Sequence, residues 1–271
     1  MEKLRISRDK HPAVAVGLVG GSTVVIDYGA LRLVTDPTFD PPGPFGPLTK
    51  TEAPALSVEE LGDADAVLLS HEDHADNFDQ AGRRYAARAA QTITGRHAAQ
   101  RLGGRAVGLE PWQTAQLTRP TGGIVTVTAV PADHGPRDGT RDSWGNVNCE
   151  VIGFVLTSDG LPTLYVSGDN ASIERVTEVA AKMPQIDIAI LFAGAARVDF
   201  KDEGRPLTLT AERAADAALL LDAKTIVPAH FRGWAHFSQD PNELVAAFSD
   251  AGIADRLHVP EPGVWTVWGP A

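Results

Sequence analysis

One cysteine, Cys149, stands in a chain of 271 residues. That scarcity excludes an intrachain disulfide framework and fits a reducing cytosol, so a cytoplasmic location is expected. The thiol itself reads as a small core group rather than a nucleophile. Long apolar runs are missing as well. No stretch reaches the roughly 18 apolar residues that a membrane-spanning helix needs. The opening residues MEKLRISRDKHP are charged and carry no apolar h-region, so no signal peptide is expected. Basic residues are few: 24 Lys and Arg face 35 Asp and Glu, for a net charge of -11. No broad basic face is available to a phosphate backbone, which argues against nucleic acid as a partner. A small anionic substrate stays compatible, because a bound cation reverses the local field. Internal repeats, low-complexity tracts and long linkers are also absent, so residues 1–271 are expected to form a single domain. Composition sets no limit on oligomer formation.

What is present is a recurring event at strand ends. Ala66 to Leu69 is a short apolar run that reads as a buried strand. It leads directly into His71-Glu72-Asp73-His74-Ala75-Asp76-Asn77-Phe78-Asp79, with two histidines and four acids in nine residues. Buried charges cost several kcal/mol unless paired, and a divalent metal is the natural partner for imidazole and carboxylate at such short spacing. The alternative is a solvated acidic loop with two incidental histidines. The same event recurs three times. The β-branched run Ile124 to Pro131 ends in Asp133-His134-Gly135-Pro136. Pro162 to Ser167 ends in Gly168-Asp169-Asn170, and Lys224 to Val227 ends in Pro228-Ala229-His230. Alone, His134 could be a hydrogen-bonded loop residue, Asp169 a cap for the next helix, and His230 a satisfied core histidine. Together they predict a site assembled at one sheet edge, where loops on a rigid scaffold converge.

The rest of the chain predicts the frame. Val14 to Leu18, Thr23 to Asp27 and Leu31 to Thr35 read as an antiparallel meander turned at Gly20-Gly21 and Tyr28-Gly29. Residues 37–50, rich in Pro and Gly, read as an irregular loop. Ser57 and Glu60 form a capping box. Helices are expected over 78–90, 96–102, 173–182, 210–221 and 243–251. The strand-rich halves, each ending in helices, predict two sheets packed face to face with helices outside.

In the order and chemistry of these motifs the chain resembles the metallo-β-lactamase superfamily. The finer segments Val34-Thr35-Asp36-Pro37, Leu69-Ser70-His71, Pro131-Ala132-Asp133-His134-Gly135-Pro136, Ser167-Gly168-Asp169 and Pro228-Ala229-His230-Phe231-Arg232-Gly233-Trp234-Ala235-His236-Phe237 resemble its ascorbate-6-phosphate-lactonase-like and N-acyl-phosphatidylethanolamine phospholipase-like branch. The resemblance spans residues 14 to 240 and implies a four-layer αββα sandwich and a metal-dependent hydrolase. It implies zinc, one ion or two, with manganese or iron as alternatives. By that likeness His71, His74 and His134 would hold a first ion, and Asp76 and His230 a second, with Asp169 bridging. A metal-bound hydroxide would attack an ester, lactone or phosphodiester of a small molecule, and Asp76 or Asp169 would orient it and carry its proton. His236 would serve as substrate contact or proton carrier. Asp36 would fix a ligand histidine, and Arg137 or Arg232 would meet an anionic group.

The sequence departs from the family's His-x-His-x-Asp-His pattern in two places. One residue is inserted, so that the second ligand could be either Asp73 or His74. Imidazole being the usual ligand there favours His74. Asn77 stands where the family has a histidine, and a neutral amide is a poor zinc ligand, so a single ion is a second expectation. A different class of function, metal or ligand binding without hydrolysis, follows if the altered motif has lost its chemistry.

Overall fold

The computed structural model describes residues 14–135 and 149–268. The expectations for Pro136 and Arg137 lie outside the described residues. Two sheets dominate. The first contains β1 (Val14–Gly20), β2 (Thr23–Tyr28), β3 (Leu31–Thr35), β6 (Ala66–Leu68), β7 (Thr92–Gly95), β8 (Ala106–Leu109) and β15 (Trp265–Trp268). Its order is β15-β1-β2-β3-β6-β7-β8. The second runs β14 (Thr225–Ala229), β13 (Ile188–Phe192), β12 (Leu164–Val166), β11 (Ile152–Thr157), β10 (Ile124–Pro131) and β9 (Thr114–Thr118). This is the mixed α/β sandwich expected of the metallo-β-lactamase fold.

Side-chain alternation builds the layers. In β6, Ala66 and Leu68 face the core shared with the second sheet, where they join Ile26, Leu33, Val127, Phe154 and Tyr165. Val67 and Leu69 point to the opposite face and pack with Val25, Val34, Phe78 and Tyr85. Every residue of β6 is therefore buried, as the uninterrupted apolar run demands. The Tyr28 hydroxyl donates to the Pro162 carbonyl at 2.8 Å, tying the two sheets. On the outside lie α1 (Val58–Leu61), α2 (Gln80–Ala86), α3 (Arg96–Leu102), α4 (Ile173–Lys182), α5 (Ala211–Leu220) and α6 (Pro241–Asp250). Helix α5 buries Ala211, Ala214, Ala215 and Ala218, one face at helical spacing. Among the described residues, no helix is long and apolar enough to cross a membrane.

Strand direction puts the chemistry at one edge. β3, β6 and β7 are parallel. In the second sheet β10 and β12 are both antiparallel to β11, hence parallel to each other, and β12, β13 and β14 are parallel. The carboxyl ends of β6, β10, β12 and β14 therefore open toward one rim, where parallel sheets ordinarily present their sites.

Two local expectations change. The loop 37–50 contains a hairpin, β4 (Gly43–Phe45) and β5 (Leu48–Lys50), turned at Gly46 with φ +60°. The helix expected over 78–90 is the shorter α2, because Asp79 is its N-cap and accepts from Gly82 N at 2.7 Å. Asp79 also accepts from Phe39 N, Asp40 N and the buried Lys50 ammonium. This single carboxylate thus anchors the far end of the histidine-bearing loop.

Candidate metal centre

Two donor clusters form at the rim. In the first, His71 Nε2 lies 2.9 Å and His134 Nε2 3.3 Å from His74 Nδ1. The Cys149 sulfur stands 3.9 Å from that same nitrogen, and all four donor atoms lie within 4.8 Å of one another. In the second, Asp76, Asp169 and His230 also bring donors within 4.8 Å of one another. His230 Nε2 is 3.2 Å from Asp76 Oδ2 and 3.8 Å from Asp169 Oδ1. The clusters touch: His134 Nδ1 lies 3.7 Å from Asp169 Oδ2.

The scaffold fixes each donor from behind. Asp36, in the left-handed region at φ +33°, accepts from Ser70 N at 2.6 Å, and the Ser70 hydroxyl lies 3.0 Å from His71 Nδ1. Asp36 therefore reaches His71 through Ser70 rather than directly. His134 Nδ1 donates to the Leu207 carbonyl at 2.7 Å, which leaves its Nε2 lone pair for the cluster. Behind His74 stands a lysine, Lys201, with Nζ 3.0 Å from Nε2. His230 has φ +55°, and a Cβ on Gly194 would meet its carbonyl oxygen at 2.1 Å. Only glycine lets the two chain segments approach so closely, and two strained non-glycine residues beside one site mark a functional constraint.

Asp73 is the one candidate ligand that the fold does not bring in. Its side chain is 40% exposed and pairs with Arg101 at 3.5 Å. The inserted residue lets His74 swing inward while Asp73 faces solvent, so of the two alternatives left open by the sequence the geometry brings His74 to the cluster. Asn77 is buried and donates to Asp169 Oδ1 at 2.9 Å. Asp169 does not cap the following helix; Ser172 does, its side chain accepting from Arg175 N. Arg232 pairs with Glu52 instead of facing the site. Trp234 is buried against Phe45 and lies 6.1 Å from the His236 ring. His236 Nε2 sits 3.0 Å from Asp76 Oδ2 and lines the pocket above the clusters. The sequence reading missed Cys149 and Lys201. The available signal for Cys149 was its place in a polar stretch before a strand, outside any apolar run; for Lys201 there was none.

Electrostatics prepare these groups for a cation. Burial, reinforced by neighbouring imidazoles, holds His71 and His134 well below the ordinary histidine range, and burial brings His74 down to about 4. All three are therefore neutral, with lone pairs available, at neutral pH. Burial alone would raise Asp76, but hydrogen bonds from His230 and His236 hold it well below the usual range. Burial raises Asp169 to about 6. Asp76 Oδ1 and Asp169 Oδ2 are buried and accept no hydrogen bond among the described residues. Two orphaned carboxylate oxygens, each costing roughly 1–3 kcal/mol or more, beside three neutral imidazoles fit divalent ions.

Comparison with known proteins gives the family and the fold. The family model described as Beta-lactamase superfamily domain matches residues 31–231, and the chain belongs to that family. A UPF0173 metal-dependent hydrolase of Pyrococcus abyssi is 26% identical over 250 residues, covering 92% of this chain and 97% of the relative. The isothiocyanate hydrolase from Delia radicum gut bacteria superimposes with a TM-score of 0.78 at 20% identity, covering 94% of this chain and 99% of that one. A novel metallo hydrolase from Ignicoccus hospitalis gives 0.68 at 21% identity, over 94% and 98% of the two chains. At these identities the solved structures establish the shared fold.

Proposed function

We propose that the protein is a metal-dependent hydrolase that cleaves an ester, lactone or phosphodiester bond of a small molecule. The observation that carries this reading is a neutral histidine cluster touching a carboxylate cluster beneath one pocket. His71, His74 and His134 would hold a first ion, and Asp76, Asp169 and His230 a second, with Asp169 placed between them. Zinc suits the imidazole share; manganese or iron suits the carboxylates. Such ions, when bound, lower the pKa of water toward about 7 and polarise the substrate oxygen.

The chain's own residues supply the remaining roles. Asp76, kept ionised by His230 and His236, orients the attacking water and accepts its proton at Oδ2. His236 shares that oxygen and is 10% exposed at the pocket, so it stands where a proton passes from Asp76 to the leaving group. Asn77 serves to pin Asp169 rather than to donate to a metal. A cavity of about 100 Å³, walled by Leu48, Ala196, Val198, Phe200 and Leu207, suits a small apolar arm. Lys201 on the same wall offers a cation to an anionic substrate.

The finer likeness to lactonase-like and phospholipase-like enzymes sets the bond classes, and the name of one structural neighbour adds isothiocyanates to the panel. The test is turnover of such a panel by chelator-stripped protein reloaded with zinc, manganese or iron. Metal-restored hydrolysis of one class is the expected result. Full metal loading with no hydrolysis of any class would favour binding without catalysis.

A further inference from the structure

We propose that the Cys149 thiolate is the fourth protein donor to the ion at the histidine cluster, closing that position with three imidazoles and one sulfur. The inference rests on the reading of His71, His74 and His134 as metal-holding, and it goes beyond it by assigning the fourth position to sulfur.

Geometry carries it. A tetrahedral zinc ion with Zn–N near 2.05 Å and Zn–S near 2.3 Å requires N···N separations of about 3.4 Å and N···S separations of about 3.6 Å. The separations from His74 Nδ1 are 2.9 and 3.3 Å to the two nitrogens and 3.9 Å to the sulfur. Shifts of up to about half an ångström bring these three to those values, and the remaining separations lie within 4.8 Å. The sulfur is also tethered. The Glu150 carboxylate lies 3.1 Å from His97 Nδ1 on α3, and Ile152 N donates to the Ser70 carbonyl at 3.2 Å. Those bonds clamp the chain on the C-terminal side of Cys149 against α3 and against Ser70, the residue that precedes His71. Burial pushes the Cys149 thiol well above its ordinary value, and the Lys201 ammonium, within reach of His74, only partly offsets this.

Three consequences follow from the chemistry. A metal-free buried thiol stays protonated and unreactive, and it gives up its proton when the ion binds. The thiolate also fills the position that three imidazoles would leave to water, so the catalytic water belongs beside Asp76 and Asp169. Sulfur further biases this site toward zinc or cobalt and away from manganese.

The experiment is cobalt(II) loading of the stripped full-length protein, read by absorption. Visible d–d bands report binding; an intense near-ultraviolet sulfur-to-cobalt charge-transfer band reports the thiolate. The expected result is both bands in the unaltered protein, and loss of only the charge-transfer band in Cys149→Ser. Visible bands without charge transfer would overturn the sulfur assignment while leaving the imidazole site standing. Absence of both bands would overturn the two readings together. X-ray absorption of the zinc-loaded, unaltered chain gives a second measure that needs no variant: one sulfur per chain at about 2.3 Å supports the assignment, and a nitrogen and oxygen shell alone refutes it.

Discussion

The two donor clusters lie in contact, yet they are built from opposite materials. The first is imidazole and thiol, neutral when empty and set behind tethered backbone. The second is two carboxylates and one imidazole, charged when empty, with oxygens that no protein group among the described residues satisfies. Neutral donors cost little to bury without an ion, whereas unsatisfied carboxylates cost more and gain more when an ion arrives. The difference teaches that the pair is not two copies of one site. One cluster suits a tightly held, soft-preferring ion; the other suits a harder ion near the reacting water.

The contrast is broken most completely at His134. His134→Ala should weaken metal retention at the histidine cluster by more than about 100-fold, beyond the effect usual for outer partners, as read by competition with a chromophoric chelator. Hydrolysis should fall with it. Asp169→Asn should act on the other side, lowering metal content by about one ion per chain while the histidine cluster stays loaded; elemental analysis decides it.

Asp79→Ala separates scaffold from ions. It removes a helix cap and strands the buried Lys50 ammonium, so it should cost about 3 kcal/mol in urea unfolding of metal-free protein. The pH response sharpens the same comparison. In metal-free protein the His74 imidazole, at about 4, lies below the unfolded value of 6.5. Between those values the unfolded chain binds more protons, so stability should fall as pH drops, by roughly 1.4 kcal/mol per pH unit for each such imidazole. Urea midpoints at pH 7 and pH 5 measure it. The smallest effect is expected at Arg101→Ala. It breaks the pairs that the half-exposed guanidinium makes with the buried Glu72 carboxylate and with Asp73, and should cost about 1 kcal/mol with unchanged metal content. A loss of metal there would bring Asp73 back to the site.

Much of this arrangement was legible in the sequence because strand ends punctuate strongly. Ala66–Leu68 running into His71, Ile124–Pro131 into His134, and Thr225–Ala229 into His230 each join a hydrophobic period to ligand chemistry within three residues. The capping boxes at Ser57 and Asp240 obey local rules, though only the first stands out in the sequence. What stayed hidden depends on contacts between distant segments. The inward turn of His74 needs Asp73 to find Arg101 across the loop. Cys149 reaches the cluster only because β11 starts against Ser70. The chain at His230 passes so close to Gly194, on a neighbouring strand's exit, that only glycine fits there. No window of sequence contains those relations.

The rim geometry has one further effect. Each cluster draws donors from both sheets: His71, His74 and Asp76 follow a strand of the first, while His134, Asp169 and His230 follow strands of the second. Any ion bound there rivets the sandwich shut at its open end, spanning up to 154 positions of chain, between Asp76 and His230. Occupancy then becomes a mechanical matter as much as a chemical one. Every tenfold rise in free metal above the dissociation constant adds about 1.4 kcal/mol against separation of the two halves.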